Sequence, residues 1–117
     1  MIDGIYKSAM ALTVHENRLA ASAHNIANIT TEGYKSIRSD IYDDKSGSLK
    51  NRISKSEEAG PMSVTLSDQA IRISEQSNVS VVEETKNTTL TQRGYEANLK
   101  TIKTTDEMLG NAIDIVS

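Results

Sequence analysis

His15 and His24 are the residues best suited to ligate a transition metal or shuttle a proton near neutral pH. Nine positions apart on a helix, they are separated by about 900° of rotation, a net half-turn. They therefore face opposite ways, cannot share a metal, and lack the HExxH spacing. Asp40, Asp43 and Asp44 suggest calcium. An EF-hand loop needs oxygen ligands at positions 1, 3 and 5 and glycine at 6. Counting from Asp40 gives Tyr42, Asp44 and Lys45 instead, so a solvated acidic turn is the better reading. Glu57-Glu58 and Glu83-Glu84 are adjacent pairs whose side chains diverge instead of converging on one proton. No GxSxG elbow, phosphate loop or dinucleotide fingerprint occurs. The sequence predicts no catalytic residue, metal or cofactor.

Composition narrows the classes further. Leu, Ile, Val and Phe make up only 25 of the 117 residues, and the sole aromatics are four tyrosines. Burial yields about 25 cal/mol per Å², against roughly 1–2 kcal/mol of backbone entropy per residue. So lean a chain predicts no deep pocket; it predicts long helices that complete their core by pairing, with each other or with neighbours. The net charge of −3 argues against nucleic acid as a partner. No run approaches the ~18 apolar residues that would span a bilayer. No basic segment leads into an apolar one, so no cleaved signal peptide is expected. Without cysteine there is no disulfide or thiolate chemistry.

Three regions must do any positioning: an N-terminal helix and turn over 1–34, a β-rich tongue over 35–77, and a C-terminal helix over 78–117. In the first, Ile5, Leu12, Leu19 and Ile26 recur every seventh residue among alanines, the step of an amphipathic helix that pairs with another. In the second, Ile37, Ser39 and Ile41 alternate with Arg38, Asp40 and Tyr42, and Leu49, Asn51 and Ile53 resume after a Lys-Ser-Gly-Ser turn. Gly60-Pro61 then breaks the chain before Met62, Val64 and Leu66, and Ile71 and Ile73 follow. These are short hairpins. In the third, Ser80 with Glu83 forms a capping box. Val81, Thr88, Tyr95, Ile102, Leu109 and Val116 again step by seven, supported by Leu99 and Ile113. The fold class expected is mainly α, an antiparallel coiled coil of two long helices joined by a short β-hairpin tongue. The second helix, about 56 Å against about 36 Å, outruns the first. The expected packing sets Ile5, Leu12, Leu19 and Ile26 on Leu99–Val116 and leaves Thr85–Asn98 unmatched.

Two long motifs at opposite ends carry a resemblance. Asn25-Ile26-Ala27-Asn28-Ile29-Thr30-Thr31-Glu32-Gly33-Tyr34-Lys35 resembles the "NIAN…T.GYK" signature of bacterial flagellar rod and hook proteins. Ser77-Asn78-Val79, Val82-Glu83-Glu84 and Gln92-Arg93-Gly94-Tyr95-Glu96-Ala97-Asn98 resemble that family's "SNV…E…QR.Y.AN" motif, and Thr105 to Leu109 its "T.DEML" tail. The motifs also have physical readings. Asn28 competes for backbone groups and ends a helix, Gly33 permits positive φ, and Tyr34 anchors the outgoing strand. Gln92, Arg93, Tyr95 and Asn98 offer bulk and hydrogen bonds to a neighbouring subunit.

The resemblance implies a non-enzymatic structural subunit of the flagellar basal-body rod or rod–hook junction. Its partners would be copies of itself, other rod and hook proteins and the type III export apparatus, with export into the periplasmic rod and no signal cleavage. Only a short middle separates the motifs, where hook and distal-rod members carry large outer domains. Two other classes are weighed against it. A helical adaptor or export-chaperone-like protein that does not polymerise fits the heptads equally well. A wall hydrolase would need two carboxylates across a cleft, which nothing here builds.

Overall fold

The computed structural model describes residues 2–67 and 69–116. Helix α1 runs Ile2–Ala27 and helix α2 Val81–Val116. Between them lie strands β1 (Ile37–Asp43), β2 (Leu49–Lys55), β3 (Met62–Ser67) and β4 (Ala70–Glu75). The strands form two separate antiparallel hairpins, β1–β2 and β3–β4. Ser80 caps α2, its carbonyl accepting from Glu84 N at 3.0 Å and its hydroxyl from Glu83 N at 3.5 Å.

The helices are antiparallel neighbours, and contacts along them give their register. Asn25 meets Glu84, Arg18 meets Asn87, and Glu16 meets Tyr95. At 1.5 Å per residue the start of α1 lies level with about Glu107, so only the last turns of α2 overhang. The stretch expected to be unmatched, Thr85–Asn98, is thus the part that faces the C-terminal half of α1.

The expected mainly-α coiled coil is not what forms. The fold is two helices plus two small sheets in an extended molecule of 83 × 25 × 16 Å with a radius of gyration of 21.1 Å; a compact domain of this length has about 13 Å. The reason lies in which residues the helices bury. On α1 the buried line is Ser8, Ala11, Val14, Ala21, Ser22 and Asn25. At 100° per residue it sits on the order of 100° around from the Ile5-Leu12-Leu19-Ile26 stripe. The β1–β2 hairpin packs on α1 as well, through Met10, Val14 and Asn17 beside Tyr42, Leu49 and Asn51. Sandwiched from two sides, α1 buries the residues midway between its two neighbours. Ile5 and Leu12 are only half-buried, and Leu19 and Ile26 stay exposed.

On α2 two seven-step columns face α1. One column, Thr88, Tyr95, Ile102 and Leu109, is half-buried. Its companion is polar: Glu84, Thr91, Asn98 and Thr105. A coiled-coil seam needs apolar residues in both columns, so the helices meet instead over small and polar groups. Leu99, Ile113 and Val116 are exposed. Gly94 shows how close the approach is, since a Cβ there would stand 2.6 Å from His15 Cε1.

The second hairpin stands apart. Among the described residues it packs on neither helix and not on β1–β2. Its register pairs Val64 with Ile73 and Leu66 with Ile71. Met62, Val64, Leu66, Ile71 and Ile73 therefore share one face, each at least 59% exposed.

Candidate functional site

The polar centre of the molecule is built where the last turns of α1, the first turns of α2 and the start of β1 converge. Asn25 sits there at 1% exposure. Its amide nitrogen donates to the Ile37 carbonyl at 2.7 Å and to Glu84 Oε1 at 2.8 Å. Its oxygen accepts from the Tyr34 hydroxyl at 3.0 Å and from Ile37 N at 2.7 Å. All four hydrogen-bonding positions of the side chain are used. One residue thereby ties α1 to α2, to the first strand and to the turn between them.

The rest of the N-terminal motif makes that turn. Asn28 donates to the His24 carbonyl at 2.9 Å and accepts from the Thr31 hydroxyl at 3.1 Å, closing the end of α1. Gly33 has φ of 68°, a left-handed conformation that suits glycine, and its N–H donates to the Glu75 carbonyl at 2.7 Å. The Tyr34 ring lies 5.9 Å from that of His24. Burial raises the Tyr34 pKa first, and the nearby Glu84 charge raises it further.

Three residues to which the sequence assigned no bonding role complete the junction. Asn78, just before α2, accepts from Ser36 N at 2.7 Å and donates to the Ser56 hydroxyl and the Glu58 carbonyl. Glu75 at the end of β4 pairs with Lys35 and accepts from Gly60 N at 2.7 Å. The Lys35 hydrogen bond is the main cause that lowers the Glu75 pKa, with the Gly60 N–H second. The third is Glu84, 6% exposed. Its Oε1 is taken by Asn25, while its Oε2 is buried with no hydrogen-bond partner. A polar cleft of about 310 Å³ opens beside it, lined among others by Arg18, Ser22, Arg38, Asp40 and Glu83. The sequence signal for Glu84 was its place in a seven-step column with Thr91 and Asn98; an adjacent Glu83 with a ready capping role masked it.

The residues expected to contact a neighbour lie along the middle of α2. Gln92 and Arg93 are exposed, and Tyr95 and Asn98 are half-buried against α1. The Tyr95 hydroxyl points to Glu16 Oε1 at 3.4 Å, and Asn98 donates to the Gly94 carbonyl at 3.1 Å. His15 is held against Gly94, and its pKa is lowered by burial and, secondarily, by Arg18. Among the described residues no group of three or more His, Asp and Glu is placed to hold a metal ion, and no helix is long and apolar enough to cross a membrane. The junction holds three segments together through the four hydrogen bonds of Asn25.

A comparison with curated proteins returns no match. The family model described as flagellar basal body rod FlgEFG protein C-terminal matches residues 72–115, from β4 through nearly all of α2. Glu84 and the segment from Gln92 to Asn98 fall inside the match, and Asn25 joins Glu84 from outside it. Over residues 72–115, less than half of its length, this chain is thus similar to the flagellar basal body rod family, and Asn25 of the N-terminal motif is bonded into that region.

Proposed function

We propose that the chain is a structural subunit of the flagellar rod or of the rod–hook junction, assembling with copies of itself and with rod or hook relatives into a helical axial tube that transmits torque. The family match over α2 carries this reading. The architecture supports it. An elongated molecule whose large apolar residues are mostly exposed, among them Ile2, Tyr6, Met108, Ile113 and Ile115 at one end and the β3–β4 face elsewhere, has its remaining burial to gain from neighbours.

The same leanness suits passage through the type III export apparatus in an unfolded state into the periplasmic rod without signal cleavage, because a small core costs little to open. In this reading Ile5, Leu12, Ile102 and Leu109 pack within the subunit, and Leu19, Ile26, Leu99, Ile113 and Val116 pack against neighbours. Gln92 and Arg93 form part of a subunit contact. Tyr95 divides between the two, since one edge already rests on α1.

Light scattering of the full chain across a concentration series, with and without other rod proteins, tests the proposal. Mass that keeps growing with concentration, or on adding a rod relative, is the expected result. A fixed dimer or a one-to-one complex would instead make the chain a non-polymerising adaptor or export-chaperone-like protein.

A further inference from the structure

We infer that the cleft beside Glu84 receives the guanidinium of Arg93 from a second copy of this chain. The inference rests on the subunit reading above and names one of its contacts.

The acceptor side is incomplete as it stands. Glu84 is 6% exposed and one carboxylate oxygen has no partner. A buried charged oxygen left without a donor is costly, and a charge-assisted bond is the group that relieves it best. The cleft carries four carboxylates, those of Asp40, Glu58, Glu83 and Glu84, against the guanidinium groups of Arg18 and Arg38. The imbalance favours a cation over an anion. Arg18 is already turned to Asn87, to which it donates at 3.2 Å.

The donor side follows by elimination. There are five arginines in the chain. Arg18 and Arg38 line the cleft, Arg52 lies over the Tyr42 ring, and Arg72 pairs with Glu32 at 2.7 Å. Arg93 is exposed and makes no hydrogen bond or ion pair among the described residues. A planar guanidinium is weakly hydrated and matches a carboxylate with two parallel donors, so it tolerates such a site better than lysine. Arg93 cannot reach its own Glu84. Nine residues on along one helix, it is displaced by about 13 Å and by half a turn. Donor and acceptor thus lie on different faces of the same molecule. A contact between unlike faces does not have to close, and it propagates as a filament when it does not.

The test uses full-length wild type, Glu84→Gln, Arg93→Gln and the double variant, with association followed by sedimentation across concentration. Gln at 84 keeps the acceptor for Asn25 and removes the charge. Each single variant is expected to weaken association by about tenfold or more, and the double variant no further than either. Mixing the two singles is expected to yield a two-copy species, because one cleft and one arginine survive between them. Arg93→Gln keeps the test open if Glu84→Gln disturbs folding, since Arg93 is exposed and makes no hydrogen bond or ion pair among the described residues. Unchanged association in Arg93→Gln, or losses that simply add in the double variant, would overturn the inference and leave the subunit reading standing. A wild-type chain that stays monomeric alone at every concentration would overturn the inference, and a chain that also ignores rod relatives would take the subunit reading with it.

Discussion

Asn25 on the last turns of α1 donates to Glu84 on the first turns of α2 at 2.8 Å, and both side chains are buried. The bond joins residues 59 positions apart, each within a different one of the two motifs. It puts one physical contact under two separate sequence signatures.

Replacing Asn25 by alanine or leucine is expected to destabilise the chain by about 2–4 kcal/mol. The change strands Glu84 Oε1 and both backbone groups of Ile37, and unmet buried polar groups cost about 1–3 kcal/mol each before relaxation. Chemical denaturation measures the loss. A stability within 0.5 kcal/mol of wild type, a margin typical of surface changes, would mean the junction is not what holds the helices together.

Gly60 is buried beside the base of the β3–β4 hairpin, where an added Cβ would fall 1.9 Å from the Gln76 carbonyl oxygen. Backbone cannot yield there as a side-chain tip can. Gly60→Ala is expected to break the Gly60–Glu75 and Gln76–Pro61 bonds and loosen the hairpin, leaving the helix pair formed. Amide exchange reads it as protection lost over 62–75 and kept over α1 and the first half of α2.

Gly94→Ala tests the close helix approach. Alanine favours a helix interior over glycine by about 1 kcal/mol, but here its methyl group meets the His15 ring. The gain is expected in a His15→Ala background and is expected to shrink or reverse when His15 is present. A double-mutant cycle on thermal unfolding measures the difference.

The shifted groups give two pH windows. His15 has a folded pKa below its usual 6.5, so the folded state prefers it neutral. Above about pH 6.5 it is neutral folded or unfolded and contributes nothing to pH dependence. As pH falls below that value the unfolded chain takes up the proton first, and stability declines until the folded pKa is passed. Glu75 is a carboxylate with a lowered pKa, so its contribution is full above about pH 4.5 and lost as pH falls through the folded value. Denaturation midpoints from pH 8 to 3 are expected to show both steps, the upper one vanishing in His15→Gln and the lower one shrinking in Glu75→Gln to what Asp44, its pKa lowered chiefly by its hydrogen bond with Lys50, still contributes.

Local order was legible in the residues alone. Alternation at Ile37–Tyr42 and Met62–Leu66, the glycine at position 33 and the Ser80 cap each act within a few residues, where steric and hydrogen-bonding rules suffice to place strands, a turn and a helix start. Which helix face would be buried was not a local matter. The Ile5-Leu12-Leu19-Ile26 stripe describes a helix with one partner, whereas α1 has two, and the residues between the two contacts are small or polar. Likewise the polar Glu84-Thr91-Asn98 column reads as solvent-facing until Asn25 arrives from the other end of the chain to meet it. Periodicity records how often a side chain returns to one face; only the packed chain decides what waits there, because burial is a property of neighbours brought together over long separations.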